Sequence, residues 1–300
     1  MTTLRASLVE SCAPAEALAR SSALLDAASD GACRLSASVV HGGALVLGAR
    51  QRAGRVADLA ACEASGVTVL RRRTTGAAAM LPSQSIVWTL SLPRVDALFA
   101  DATLATLLNR NLRLLLKGLL AAGAKAAYFG RDHIVVGHRP AVALGYEVTP
   151  DGRVLVEAFA GYDGAAVIPA KRVKEPVALG PCVAASWTPV TLARKVIECA
   201  AERASAALVW DEPSRVEPFE PVRDERDPMP EGSALLATVE VPIGVVEGAT
   251  GPWFGGDALT ATWWLDALAK AVAESSELPA PPVLEGARVE DLLATLGSAP

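Results

Sequence analysis

Apolar positions along this chain follow two periods, alternation in twos and recurrence in threes and fours, and the switches between them predict an α/β protein. A strand is expected over 3–9. A helix follows over 14–28, with Pro14 acceptable in its first turn and Asp30-Gly31 as its stop. Strands at 34–40 and 44–47 flank the turn His41-Gly42-Gly43. The pattern then predicts a helix over 56–65, closed by Gly66 where a left-handed residue is usually required. Strands at 67–70 and 85–92 come next, the second with Ile86, Trp88 and Leu90 alternating with smaller or more polar neighbours. Over 101–122 a leucine-rich helix carries Arg110, Arg113 and Lys117 at i, i+3 and i+7, which marks one solvated stripe. Four strands are expected at 125–129, 133–136, 141–148 and 153–159, the last two joined by the turn Thr149-Pro150-Asp151-Gly152. A helix is expected over 188–202.

Residues 212–232, EPSRVEPFEPVRDERDPMPEG, have no apolar period and read as a domain boundary. Beyond them come a strand at 233–241, the segment Gly244-Val245-Val246-Glu247-Gly248, a helix at 257–273 and a last helix at 289–296. The longer helix puts Ala261, Trp264, Leu265, Leu268 and Val272 on one face. The pattern therefore divides the chain into a large domain at 1–210, a linker at 211–232 and a small domain at 233–300.

Composition narrows the function classes. The chain has 300 residues, 51% hydrophobic and 20% charged, enough for a large domain plus a small one. A net charge of −5 does not favour nucleic acid as a partner. Glu10, Pro14 and Glu16 interrupt the first 20 residues, so no secretory leader is expected there. No segment reaches the roughly 18 uninterrupted apolar residues of a membrane helix. Cys12, Cys33, Cys62, Cys182 and Cys199 are scattered, without a C-x-x-C pair. Neither a zinc knuckle nor a disulfide framework is indicated, and a reducing, cytoplasmic setting fits best. His133 and His138 fall on opposite faces of a continuous strand, which disfavours a metal site using both.

The candidate chemistry centres on the stretch 69–92. Between its two strands, Arg71, Arg72, Arg73, Thr74, Thr75, Gly76 and Ala77 form a tight loop. Outward backbone N–H groups at 74–77, flanked by guanidinium groups, would make an oxyanion cradle; a solvated basic turn is the competing explanation. Arg72-Arg73-Thr74-Thr75-Gly76 resembles the substrate loop of the lipoate–protein ligase and octanoyltransferase family, R-R-(S/T)-(S/T/G)-G-G-G, with Ala77 and Ala78 in place of the last two glycines. Val46-Leu47-Gly48-Ala49-Arg50-Gln51 resembles that family's V-x-G-x-x-Q step. Gly130 to Gly137 is similar to its G-R-(N/A)-D strand, with Asp132 and His133 at the Asn–Asp positions. The family's lysine is missing there, and Arg139 or Pro140 falls at its place, depending on a one-residue gap. Pro181-Cys182 resembles the Pro-Cys pair of octanoyltransferases, and Gly255-Gly256-Asp257 the step before the accessory-domain helix.

The resemblance implies an α/β fold: a mixed-sheet biotin/lipoate-ligase-like catalytic domain with a small α+β accessory domain. It implies acyl transfer of lipoate, octanoate or a related acid onto a carrier-protein lysine. ATP, its accompanying magnesium, and lipoate or octanoate would be the ligands, and no other metal is expected. A lipoyl domain or an acyl carrier protein would be the partner, with neither nucleic acid nor membrane involved. Arg72, Arg73, Thr74, Thr75, Gly76, Ala77, Asp132, His133 and Gly137 would bind substrate. Arg139 would stand in for the lysine, keeping its charge without its compact geometry, and Cys182 would be an optional nucleophile. The missing lysine, the two replaced glycines and the altered Asn–Asp pair also fit a second possibility, a non-catalytic member that keeps the fold to bind a ligand or partner protein.

Overall fold

The computed structural model describes residues 2–168 and 174–297. The chain opens with strand β1 (Thr3–Cys12), helix α1 (Pro14–Ala27) and strands β2 (Cys33–His41) and β3 (Ala44–Leu47). Short helices α2 (Ala53–Val56) and α3 (Leu59–Ala64) precede β4 (Thr68–Arg71), β5 (Ala79–Leu81) and β6 (Gln84–Leu92). Helix α4 (Leu107–Ala121) leads to β7 (Ala126–Tyr128), β8 (His133–Val136), β9 (Arg139–Val148) and β10 (Val154–Gly161). Helix α5 (Pro189–Ala204) and β11 (Ala207–Trp210) follow. The C-terminal part holds β12 (Leu235–Val241), β13 (Gly244–Ala249), β14 (Trp253–Gly256), β15 (Leu259–Thr260), α6 (Thr262–Glu274), β16 (Leu284–Glu285) and α7 (Val289–Ala294).

One mixed sheet in the order β11-β1-β2-β6-β10-β9-β8-β7 organises the molecule. The alternation read in 85–92 sorts its two faces. Ile86, Trp88 and Leu90 join Leu35 and Ala37 under α4 and α5, whereas Val87 packs with Leu18 of α1 and Phe159. On that second face Thr89 Oγ1 donates to Ser21 Oγ at 3.0 Å and Ser91 Oγ to the Leu24 carbonyl at 2.7 Å. The period-2 pattern thus encodes two partners rather than a core and a solvent side. The turn at His41-Gly42-Gly43 moves the chain from this sheet into a second, three-stranded one ordered β4-β3-β5.

Three expected helices differ. The one at 56–65 is broken, because Ala57 is extended and the Asp58 carboxylate accepts the Ala61 N–H at 3.0 Å as the N-cap of α3. The leucine-rich helix starts at Leu107, after a 3-10 turn at Leu104–Thr106. The helix expected from 257 starts at Thr262, because Asp257 binds other partners and Leu259–Thr260 pair with β16. The C-terminal strands β12-β13-β14 form their own sheet. Val246, Phe254, Leu259 and Trp264 nevertheless belong to the same apolar cluster as the leucines of α4. No helix among the described residues is long and apolar enough to cross a membrane.

Candidate functional site

The three arginines leave β4 in three directions. Arg71 donates from Nη1 to the carbonyls of Gly48 and Gln51, both at 2.8 Å, and pairs with Asp227 at 2.9 Å. Arg73 turns outward to Asp26 of α1, at 2.7 Å. Arg72 turns inward and is 1% exposed. Its Nη2 donates to the carbonyls of Thr75 at 3.1 Å, Ala77 at 2.9 Å and Leu144 at 3.2 Å. Its guanidinium carbon lies 5.0 Å from the Phe159 ring centroid. Its Nε and Nη1 are buried with no hydrogen-bond partner.

Burial pulls the Arg72 guanidinium down to about 10, against the opposing charges of Glu157, Asp132 and Asp257. Burial likewise raises the Glu157 carboxyl, against Arg72, Ser21 and Thr74. Glu157 accepts from Ser21 Oγ at 2.5 Å and from Thr74 Oγ1. This carboxylate was not among the expected site residues; its signal is an acidic residue inside the otherwise apolar run VLVEAFAG. Gly145 gives the group its room, since a Cβ there would lie 2.2 Å from Thr74 Oγ1 and 2.8 Å from Arg72 Nε.

The loop 74–77 does not present its backbone to solvent. The Thr75 N–H donates to the Tyr146 carbonyl at 3.0 Å. Thr75 Oγ1 donates to the Thr260 carbonyl and accepts the Thr260 N–H at 2.9 Å. Gly76, at φ +108°, is so close to β15 that a Cβ would stand 2.7 Å from Leu259 Cδ2. Gly48 crosses it from the other side, where a Cβ would meet the Gly76 carbonyl at 2.2 Å. The ends of the C-terminal unit are clamped alongside. Gln51 Oε1 accepts the Gly48 N–H at 2.7 Å while its Nε2 donates to Asp257. Arg52 and Arg55 reach the fully buried Glu247 at 3.0 and 3.2 Å, and Arg55 also reaches Asp257 at 2.5 Å. Glu147 accepts the Thr262 N–H at 3.0 Å, at the start of α6.

Among the expected residues, the fold gathers Arg72, Thr74, Thr75, Gly76, Ala77 and Asp132. The Asp132 carbonyl accepts the Leu144 N–H at 2.8 Å, which fixes its strand beside Arg72. His133, 5% exposed, holds Nδ1 2.8 Å from Asp132 Oδ1 and is paired with Ala143 of β9. The others lie apart. Gly137 and His138 make the β8–β9 turn with φ of 58° and 66°. Arg139, five positions before Leu144 on β9, is about 17 Å from it along an extended strand and donates to the carbonyls of Glu175 and Pro176, both at 2.9 Å. Cys182 donates its thiol to the Ala178 carbonyl at 3.4 Å, and burial raises its pKa despite the charge of Arg139. Burial outweighs the one charge that favours a thiolate. Neither of two described cavities, about 420 Å³ and 30 Å³, is lined by residues 72–77. No cluster of three His, Cys, Asp or Glu residues able to hold a metal occurs among the described residues.

An oxyanion suits the unpartnered nitrogens of Arg72, but these atoms are buried, and Leu259 and Thr260 pack against Gly76 and Thr75 of the loop. As folded, the arrangement does not fit a nucleotide or an acyl chain at the loop. What it does is hold a buried cation beneath a loop on which β15 packs.

No curated protein sequence matches the chain. In fold, the chain is similar to a Thermoplasma acidophilum protein solved with bound lipoic acid, at 14% identity and a TM-score of 0.58 over 71% of this chain and 90% of that one. It is as similar to lipoate-protein ligase A bound with ATP, with the same identity, TM-score and coverage. A bi-partite lipoate protein ligase of Thermoplasma acidophilum, described with its E2 lipoyl domain, aligns at 12% identity and a TM-score of 0.57 over 71% of this chain and 88% of that one. The signature of the lipoyl protein ligase A/B catalytic domain matches residues 13–164, which takes in α1, the arginine loop, Asp132, His133 and Glu157, so the chain belongs to that family.

Proposed function

We propose that this protein is a divergent acyl ligase or acyltransferase of the lipoate and octanoate class, acting on a lysine of a carrier protein by a route that does not use the family's lysine. The observation that carries the reading is Arg72, a buried guanidinium with two nitrogens left without partners behind the family's substrate loop. Such donors, already held in a water-poor setting, suit the charge that develops on an acyl or phosphoryl oxygen. Thr74, Thr75, Gly76, Ala77, Asp132 and His133 form the substrate side. ATP with magnesium, lipoate or octanoate as acid, and a lipoyl domain as acceptor are proposed from the ligands and partner named for the similar structures. Residues 1–210 form the acyl-handling unit in this reading, and 233–300 the accessory unit beyond the linker at 211–232. Substrate enters when β15 withdraws from Thr75 and Gly76.

A second reading, a non-catalytic member that binds a partner or ligand, is favoured by one observation: no lysine stands where the family has one, and Arg139, which with Pro140 is a candidate for that place, is turned to two backbone carbonyls far along the strand. One experiment separates the two. The protein is incubated with ATP, magnesium, lipoate or octanoate and a lipoyl domain, and the acceptor is weighed by mass spectrometry. An acylated acceptor lysine supports the ligase reading. No acylation, with no binding of a non-hydrolysable acyl-adenylate by calorimetry, leaves the non-catalytic one.

A further inference from the structure

The larger cavity lies on the far side of α1 from the arginine loop, and its chemistry is unlike that of a simple packing gap. The parallel register of β1 and β2 sets Arg5 beside Arg34 and Ser7 beside Ser36. Two guanidinium groups on neighbouring strands repel unless each is neutralised. Asp211 takes Arg5, with Nε and Nη2 both at 2.7 Å, and Asp30 takes Arg34, with Nη1 at 2.9 Å. A third guanidinium enters from above on α1. Arg20 donates Nη1 to the Ser214 carbonyl, while its buried Nε has no partner. Ala23 and Leu24 of α1 complete that wall, and the segment 211–216 forms the rim. The lining thus carries three guanidinium groups against the carboxylates of Asp211 and Glu212, and the Ser7–Ser36 hydroxyl pair at 3.1 Å.

We infer that this cavity is a second ligand site, for a compact organic anion whose oxyanion meets the guanidinium of Arg20 on the cavity wall and whose polar body meets the two serines. Carboxylates and phosphate monoesters share that chemistry. A volume of about 420 Å³ falls within the roughly 300–1,000 Å³ of small-molecule pockets. Charge-assisted hydrogen bonds to a guanidinium edge give such a site its selectivity for anions. None of its residues belongs to the loop at 72–77, so the site stands or falls independently of the acyl reading.

Calorimetry on the full chain at constant ionic strength tests it, with inorganic phosphate and succinate as separate probes. Binding at millimolar or lower concentration is expected for at least one, and which probe binds tells phosphate from carboxylate ligands. Arg20→Gln should weaken it about tenfold or more, the value of one charged hydrogen bond. Ala23→Leu, which fills the cavity from the helix side and keeps every charge, should abolish it with the circular dichroism unchanged. Lys117→Ala, on the opposite face of the sheet, should leave it intact. No heat with either probe overturns the site, as does binding that survives Ala23→Leu in a folded protein. Should Arg20→Gln fail to fold, Ala23→Leu decides alone.

Discussion

Arg72 and Arg73 are adjacent in sequence and opposite in consequence. Replacing Arg72 with Met removes the donor shared by three carbonyls and leaves Glu157 buried without its nearest cation. A loss of about 3–5 kcal/mol is expected in chemical denaturation, as for breaking a buried ionic group. Arg73→Ala breaks a pair whose carboxylate is 63% exposed and should cost at most about 1 kcal/mol. Comparable losses for the two would contradict the inward placement of Arg72. Glu147 offers a pH test. Burial pushes its carboxyl from 4.5 up to about 7. Its share of stability is therefore complete below about pH 4.5 and is lost as pH rises through 7. Glu147→Gln keeps an oxygen for the Thr262 N–H and removes the titration. Relative to the parent it should gain up to about 3 kcal/mol above pH 8, read from melting curves across pH; a parallel pH dependence in both would refute the assignment. The family loop was legible at this scale, because its arginines, threonines and glycine are local. The inward turn of Arg72 was not, since one of its acceptors, Leu144, lies 72 residues away.

The long elements were legible, and so were several short strands next to clear turn signals. The nine residues of β6 carry a clean alternation, and the sixteen of α5 carry a start at Thr188, whose side chain accepts the Thr191 N–H. The two-residue strands β15 and β16 and the three-residue β5 are too short to show any period. β15 is the element that packs on the arginine loop, so this contact was invisible in the sequence for a physical reason. The break between α2 and α3 had a readable cause in Asp58, which prefers a cap to a helix interior. Gly145 of β9 is the tightest strand position beside the site. Gly145→Ala should cost about 1–3 kcal/mol as an overpacking change, checked by denaturant titration, and an unchanged midpoint would mean that Thr74 and Arg72 lie farther from β9 than described.

Across the whole molecule, the segment 211–232, expected from its composition to be a linker, makes contacts with the preceding part that its composition did not reveal. Gly54 N–H donates to the Glu225 carbonyl at 2.8 Å, Arg71 holds Asp227, and the Val222 N–H donates to the Val69 carbonyl at 2.8 Å. A chain ending at residue 232 loses Phe254, Leu259, Trp264, Leu265 and Leu268 from the main core and strips Arg52 and Arg55 of Glu247 and Asp257. It should lose cooperative unfolding and aggregate on size exclusion; a soluble fragment with a sharp melt would show the two parts to be independent. On the proposed function, β15 must leave the loop at 72–77 for an acyl group to bind. Hydrogen exchange at residues 259–262, with and without a non-hydrolysable octanoyl-adenylate analogue, tests it most directly. Faster exchange of the Thr260 and Thr262 amides on binding is the expected result. Unchanged or slower exchange with the analogue bound would contradict it.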